Sequence, residues 1–519
     1  MRRFLLAAML ILTLAAMPAQ HCLGQNSKVD ANRSVVVLYE NDVHCALDGY
    51  AKVAGLRDAI RDTAVVLLVS SGDYLQGNTA GAISKGQYVV DLMRAVDYDV
   101  VTLGNHEFDY KVPRLLELTR QLNADVVCAN FVDLATGRNL FAPYVIKQAG
   151  PWKIAFIGAV TPSTMQSEKY AFFSDDGKPL YSLLADRVYT LVQQSADEAR
   201  RQGADFVVLL SHLGEDKTDE EVDSHGLATN TRGIDVILDG HTHSLRPADT
   251  VLNLDGKPVP VTQTGYELAN LGKMLISPSG TISLSMIPVA SIAQLSSKVQ
   301  KVNEKVKKEV DAATSKVVCH SDYVLQILDD AGEYLVRYAE TNAGDLVTDA
   351  YRHALGADIA LTNAGGLRNQ LSAGDITYGD LIRLLPYDNF LTLVEAKGST
   401  IVELLRRTTE KMSYDNGDFP QCSGLRYTVH TDVHSITDVE VLSPDGKYQP
   451  IDPDRTYRLV TIDYCVAGGG FAGVLEHCKV LQKTNIHYRD ALDDYVRQVL
   501  KGKIGIDYAK PQGRITVKP

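Results

Sequence analysis

At 519 residues the chain is longer than one hydrophobic core ordinarily supports, so two domains are expected. Hydrophobic residues make up 45% and charged residues 22% of it, which excludes a largely disordered chain. The formal net charge of −12 excludes a generic binder of nucleic-acid polymers, whose affinity would come from Lys and Arg releasing counterions.

In chain order, Arg2 and Arg3 precede an apolar run over residues 4–16, followed by small and polar residues, the layout of a secretory signal peptide. The run is shorter than the roughly 20 residues that span a bilayer. Residues 1–25 are therefore expected to be cleaved, leaving an exported periplasmic or cell-surface protein without a transmembrane segment. Seven cysteines, at 22, 45, 128, 319, 422, 465 and 478, form no CxxC pair. That spacing argues against a thiolate metal site or a disulfide framework, and leaves an isolated bridge open.

Residues 31–290 alternate β-branched runs with amphipathic helical stretches, the pattern of an α/β layered domain. Strands are expected at 35–39, 65–70, 100–103, 154–159, 206–211 and 236–238. Residues 291–318 are polar, Lys-rich and free of Gly and Pro, with apolar residues at helical spacing, and read as a linker helix. Residues 319–519 mix helices (344–355, 399–411) with strands (358–361, 392–396, 457–462), a second α/β domain.

Metal-binding chemistry concentrates at the ends of the first-half strands. Asp42 and His44 follow one, Asp73 the next, then Asn105 with His106, then His212, and finally His241 with His243. In open α/β sheets ligands sit beyond the carboxyl ends of the strands, so residues far apart in sequence converge there. Asp42, His44, Asp73, Asn105, His212, His241 and His243 supply too many N and O donors for one ion. They suit two divalent ions sharing Asp73 as a bridge, a standard device for activating water and stabilising phosphoryl oxygens. The donor set suits Zn, Mn, Fe or Co and does not choose among them. His106 and Asp109, three residues apart, fall on one face of a helical turn, where the carboxylate favours an imidazolium.

The ordered motifs DVH, GD, GNHEFD, SHLG and GHTH resemble those of calcineurin-like metallophosphoesterases. GNHEFD together with the second half resembles the 5′-nucleotidase and UDP-sugar hydrolase family. The resemblance implies a four-layer αββα sandwich joined through the linker to a substrate-binding α/β domain. It also implies that Asp42, His44, Asp73 and His243 surround one ion, that Asp73, Asn105, His212 and His241 surround the other, and that His106 and Asp109 form the catalytic dyad. TNAGGLR resembles the family's substrate-domain motif, which implies that Asn363, Gly365, Gly366 and Arg368 lie near the nucleotide, and Arg337 resembles another substrate-contacting arginine of the family, the two arginines suiting a phosphate. Tyr387 and Tyr464 match the pair of rings that stack on the base. One departure stands out. Gly468, Gly469 and Gly470 occupy the family's Gly-Gly-Asp stretch, and Gly470 removes the carboxylate that binds the ribose hydroxyls. The implied activity is removal of the terminal phosphate from a nucleotide or other small phosphoester. Alternatives are a 2′,3′-cyclic-nucleotide phosphodiesterase with 3′-nucleotidase action, a UDP-sugar hydrolase, or a non-enzymatic surface binding protein.

Overall fold

A computed structural model of the chain describes residues 33–77, 79–174, 178–215 and 222–519, so the expected signal peptide lies outside the described residues. In the first half, Val35–Glu40 pairs in parallel with Val65–Ser70, which pairs in turn with Val100–Val101. Antiparallel strands Asn270–Ile276 and Ile282–Pro288 extend the other edge of this six-stranded sheet. A second six-stranded sheet is built around Trp152–Val160, Phe206–His212 and Val236–Leu238, all parallel, with Tyr144–Ala149 on one edge. Pro258–Thr264 and Leu245–Leu252 complete its other edge.

The period-2 alternation of these strands decides the layering. Val35, Val37, Tyr39, Leu67 and Val69 face Ile154, Phe156, Val208 and Leu210, forming a core between the two sheets. Their alternates face outward: Val36, Leu38 and Leu68 pack on helical Tyr50, Val53, Leu92 and Leu115. Ala155, Ile157, Val207 and Leu209 pack on Val188, Val192 and Ala196 of helix Val188–Arg201. The result is helix, sheet, sheet, helix. The expected strand at 100–103 runs over Val100–Val101, with Thr102 N still donating to Ser70 O at 3.0 Å, and ends there because Gly104 and Asn105 belong to a loop that turns into the site.

The helix expected between the halves runs over Ser297–Thr314. It packs on helices Tyr50–Arg61 and Gln87–Val96 and on helix Tyr378–Leu384 of the second half. Residues 292–296 are not helical. In the second half a five-stranded mixed sheet, with Ile359–Asn363, Thr456–Ile462 and Phe390–Lys397 at its centre, carries helices Asn342–Leu355 and Gly398–Thr408 around a separate core. Cys45, Cys128, Cys319, Cys422, Cys465 and Cys478 are unpaired. No helix among the described residues is long and apolar enough to cross a membrane.

Candidate metal centre and substrate cavity

All seven expected ligands come together at the carboxyl ends of the parallel strands. Five of them hold left-handed backbone conformations: Asp42 (φ 54), His44 (φ 49), Asp73 (φ 59), His241 (φ 82) and His243 (φ 57). Such conformations cost non-glycine residues on the order of 1–3 kcal/mol each and persist only where their surroundings over-determine them. Cross-loop hydrogen bonds do so here. Asp42 N donates to Gly72 O (3.0 Å), His44 N to Asp73 O (2.9 Å) and His241 N to Asp42 Oδ2 (2.9 Å).

The orientation of the imidazoles tests whether cations fit. His44 Nδ1 contacts Gln76 O at 2.9 Å, and His212 Nδ1 contacts Ser71 O at 2.7 Å. A carbonyl can only accept, so Nδ1 carries the proton in each neutral ring and Nε2 presents a lone pair. His44 Nε2 then lies 2.9 Å from His243 Nε2, and His212 Nε2 lies 3.1 Å from Asp73 Oδ2. Asp42 Oδ1 is 3.5 Å from His243 Nε2, 3.7 Å from His44 Nε2 and 3.8 Å from His212 Nε2. His241 Nδ1 approaches Asn105 Oδ1 at 2.8 Å. Electron-pair donors aimed at one another in a buried site call for cations between them, so the residues fit divalent metal ions.

With protons as the cations at hand, the titrations follow the same crowding. Burial disfavours the charged His212 ring, but Asp73 and Asp42 outweigh it and raise its pKa to about 10. Burial also opposes ionisation of Asp73, yet His212 and His106 hold it well below the usual carboxylate range. His243 is lowered, by burial first, with His44 adding to the effect.

His106 begins a single 3-10 turn, and its Nδ1 sits 3.0 Å from Asp109 Oδ2. Burial works against its charge, but Asp109 and Asp73 outweigh that and raise it well above the ordinary imidazole value. The His106 backbone N donates to Asp73 Oδ1 at 2.8 Å, tying the dyad to the carboxylate expected to bridge the ions.

One residue with a large structural part carries no signal in sequence spacing. Glu107 is fully buried, and its carboxylate accepts from the backbone N of Asp73 (2.7 Å), Tyr74 (2.8 Å), Leu75 (3.0 Å) and Gly104 (2.5 Å). It clamps the loop bearing Asp73 to the loop bearing Asn105. Tyr266 is a second such residue, stacked on the His243 ring at 5.3 Å. Away from the centre, His225 gathers with Glu215 and Asp249, but Arg246 ion-pairs with both carboxylates and supplies the positive charge there.

The centre opens into a cavity of ≈ 320 Å³ whose wall comes from both halves of the chain. Asn105, His106 and Asp109 form one side. Arg337, Asn363, Gly365, Gly366, Arg368, Tyr387 and Tyr464, all of the expected substrate residues, line the rest, joined by Glu168, Asp388, Asp415 and Asp418. Arg337 stacks on Tyr334 at 4.4 Å and Arg368 lies 5.9 Å from the same ring. Burial and the adjacent Arg368 lower the Arg337 pKa. Arg337 Nη1 donates to Tyr414 O at 3.3 Å, and among the described residues neither guanidinium has a carboxylate within ion-pair distance, which leaves donors on both for an anion.

Comparison with known proteins agrees with this geometry. The calcineurin-like phosphoesterase family model matches residues 36–245, and the 5′-nucleotidase C-terminal domain model matches residues 313–477. A trifunctional nucleotide phosphoesterase of Bacillus subtilis (strain 168) is 26% identical over 486 residues, covering 84% of this chain and 32% of that protein, so the chain spans only part of that relative. The 5′-nucleotidase of Bos taurus is 25% identical over 548 residues, covering 93% of this chain and 90% of the relative. The crystal structure of a 5′-nucleotidase precursor from Thermus thermophilus superposes with a TM-score of 0.73 at 26% identity, covering 94% of this chain and 100% of that one. Fold and site together define a metal-dependent phosphoester hydrolase. The chain belongs to the family that joins a calcineurin-like phosphoesterase domain to a 5′-nucleotidase C-terminal domain.

Proposed function

We propose that the chain is an exported two-metal phosphohydrolase of the 5′-nucleotidase type, which removes the terminal phosphate from nucleotides. The observation that carries this reading is the shared cavity: the metal-binding cluster and its dyad open onto the same space as two tyrosines and two arginines from the other half, neither arginine in an ion pair among the described residues.

Asp42, His44, Asp73 and His243 would hold one divalent ion, and Asp73, Asn105, His212 and His241 the other. When bound, the ions supply an activated water and offset charge growing on the phosphoryl oxygens. His106, kept protonated by Asp109, donates a hydrogen bond to a phosphoryl oxygen or a proton to the departing oxygen. Arg337 and Arg368 grip the phosphate in fork geometry, with Asn363, Gly365 and Gly366 beside them. Tyr387 and Tyr464 offer ring faces to the base, a mode that tolerates different bases. Ligands on one half and substrate contacts on the other require the substrate to bridge them, so a bound nucleotide sits across the seam.

The test is a substrate panel of AMP, 3′-AMP, 2′,3′-cyclic AMP and UDP-glucose, run with metal analysis of the purified protein. AMP should give the highest kcat/KM, with two ions per chain and full loss of activity on chelation. Faster turnover of the cyclic nucleotide or of UDP-glucose would move the assignment to that activity. Absence of phosphate release with every divalent metal tried would instead favour a binding protein.

A further inference from the structure

The cavity is lined by Arg337 and Arg368 and also by the Asp418 carboxylate, which is fixed against the glycine-rich loop that follows Tyr464. We infer that Asp418 is the acceptor for the sugar hydroxyls of the substrate, so that this enzyme selects a ribose over a deoxyribose. The inference rests on the nucleotide reading above and deepens it.

Asp418 is held in place by backbone on both sides. Gly365 N donates to Gly417 O at 2.8 Å and Ala364 N to Phe419 O at 2.9 Å, which fastens the Gly417–Phe419 segment to the turn bearing Asn363 and Gly365. Its Oδ2 accepts from Ala472 N at 3.0 Å, so the carboxylate is pinned against the glycine-rich loop that follows Tyr464. Among the described residues Oδ1 has no hydrogen-bond partner, and Asp418 lines the cavity together with Asn363 and Tyr464.

The glycine-rich loop cannot furnish this group itself. Gly470 is buried, and a Cβ built on it would lie 2.9 Å from Cys465 Sγ and 3.2 Å from Tyr464 Cε1. A side chain there would displace the ring that faces the cavity. The carboxylate therefore reaches this corner from residue 418, on a different segment, with Ala472 N as its anchor.

Charge assigns what it binds. A carboxylate repels a phosphate, which Arg337, Arg368 and the metal-binding cluster attract, so the substrate is oriented with its phosphate away from Asp418. A carboxylate only accepts hydrogen bonds, and the donors of a nucleoside nearest such a corner are the vicinal sugar hydroxyls. Glu168, a buried acid on the same wall, gathers with His106 and Asp109 and also acts on the Tyr464 hydroxyl, so E168Q is the variant that tells the two carboxylates apart.

The experiment compares kcat/KM for AMP, 2′-deoxy-AMP and 3′-deoxy-AMP in the wild type, D418N and E168Q. The wild type should favour AMP over at least one deoxynucleotide by about tenfold or more, the order expected for one charge-assisted hydrogen bond. D418N retains an oxygen for Ala472 N and should fold, as its thermal midpoint will show. Its preference for AMP should fall at least several-fold, mainly through KM, while E168Q keeps the wild-type preference. A wild type that hydrolyses AMP and both deoxynucleotides equally overturns the inference, as does a D418N that still discriminates. Should D418N not fold, calorimetric binding of adenosine and 2′- and 3′-deoxyadenosine to the wild type decides alone, equal affinities sinking the proposal. Cleavage of p-nitrophenyl phosphate without any release of phosphate from AMP would remove the nucleotide reading, and this inference with it.

Discussion

Replacing Gly104 by alanine adds a single methyl group at the most crowded point of the metal centre. Its Cβ would stand 2.1 Å from Asp73 Oδ1 and 2.7 Å from both Asp73 Cγ and Asp73 N, where real Cβ contacts essentially never fall below 3.0 Å. The Asp73 carboxylate must therefore retreat by about 0.9 Å, breaking its 2.8 Å bond from His106 N. Gly104 has no positive φ, so alanine meets no left-handed-conformation penalty, and the strain falls on the Asp73 carboxylate and on the backbone N of the same residue. A misplacement of ~1 Å in a reacting constellation costs on the order of 10²-fold in rate. We expect G104A to lose about 10²-fold in kcat on p-nitrophenyl phosphate at saturating Mn²⁺ and to bind fewer than two ions per chain. G505A, whose Cβ meets nothing within 4 Å, serves as the control and should be unchanged. Near-ultraviolet circular dichroism of the chelated proteins separates a local effect from unfolding. A G104A enzyme with wild-type kcat and full metal occupancy would refute the placement of Asp73 between the ions.

Two other outcomes follow from the same loops. E107Q keeps one oxygen but turns an NH₂ group toward two of the four backbone donors, and each orphaned N–H costs about 1–3 kcal/mol. The variant should lose ~2–6 kcal/mol in urea unfolding or bind metal correspondingly more weakly; unchanged values for both would show that the clamp is idle. In the metal-free protein, His212 is raised from its ordinary value to about 10 by Asp73 and Asp42 against the effect of burial. A folded pKa above the unfolded one gives stability that is complete below about pH 6.5 and lost as pH rises toward about 10. Metal must displace that proton, so affinity should climb through the same window, and a pH-independent affinity there would contradict the assignment.

The order of the site is legible along the chain. Apolar strands ending in Asp-Val-His, Gly-Asp, Gly-Asn-His, Ser-His and Gly-His-Thr-His already say that donors converge, because parallel strands all discharge their carboxyl ends at one edge. The three-residue spacing of His106 and Asp109 likewise fixed their pairing, since one helical turn carries both. What local pattern could not express are contacts between residues far apart in the chain. The facing lone pairs of His44 and His243, separated by 199 positions, exist only once Asn270–Ile276 and Pro258–Thr264 close the sheet edges around the loops. Glu107 sits inside a legible motif, yet its four backbone donors come from two loops and leave no periodicity. The cavity wall, with Asp418 reaching the corner that Gly470 leaves without a side chain, belongs to the packing of one half against the other. Chemistry along a strand is written in its own residues; the space between strands, loops and halves is set only when their cores have packed.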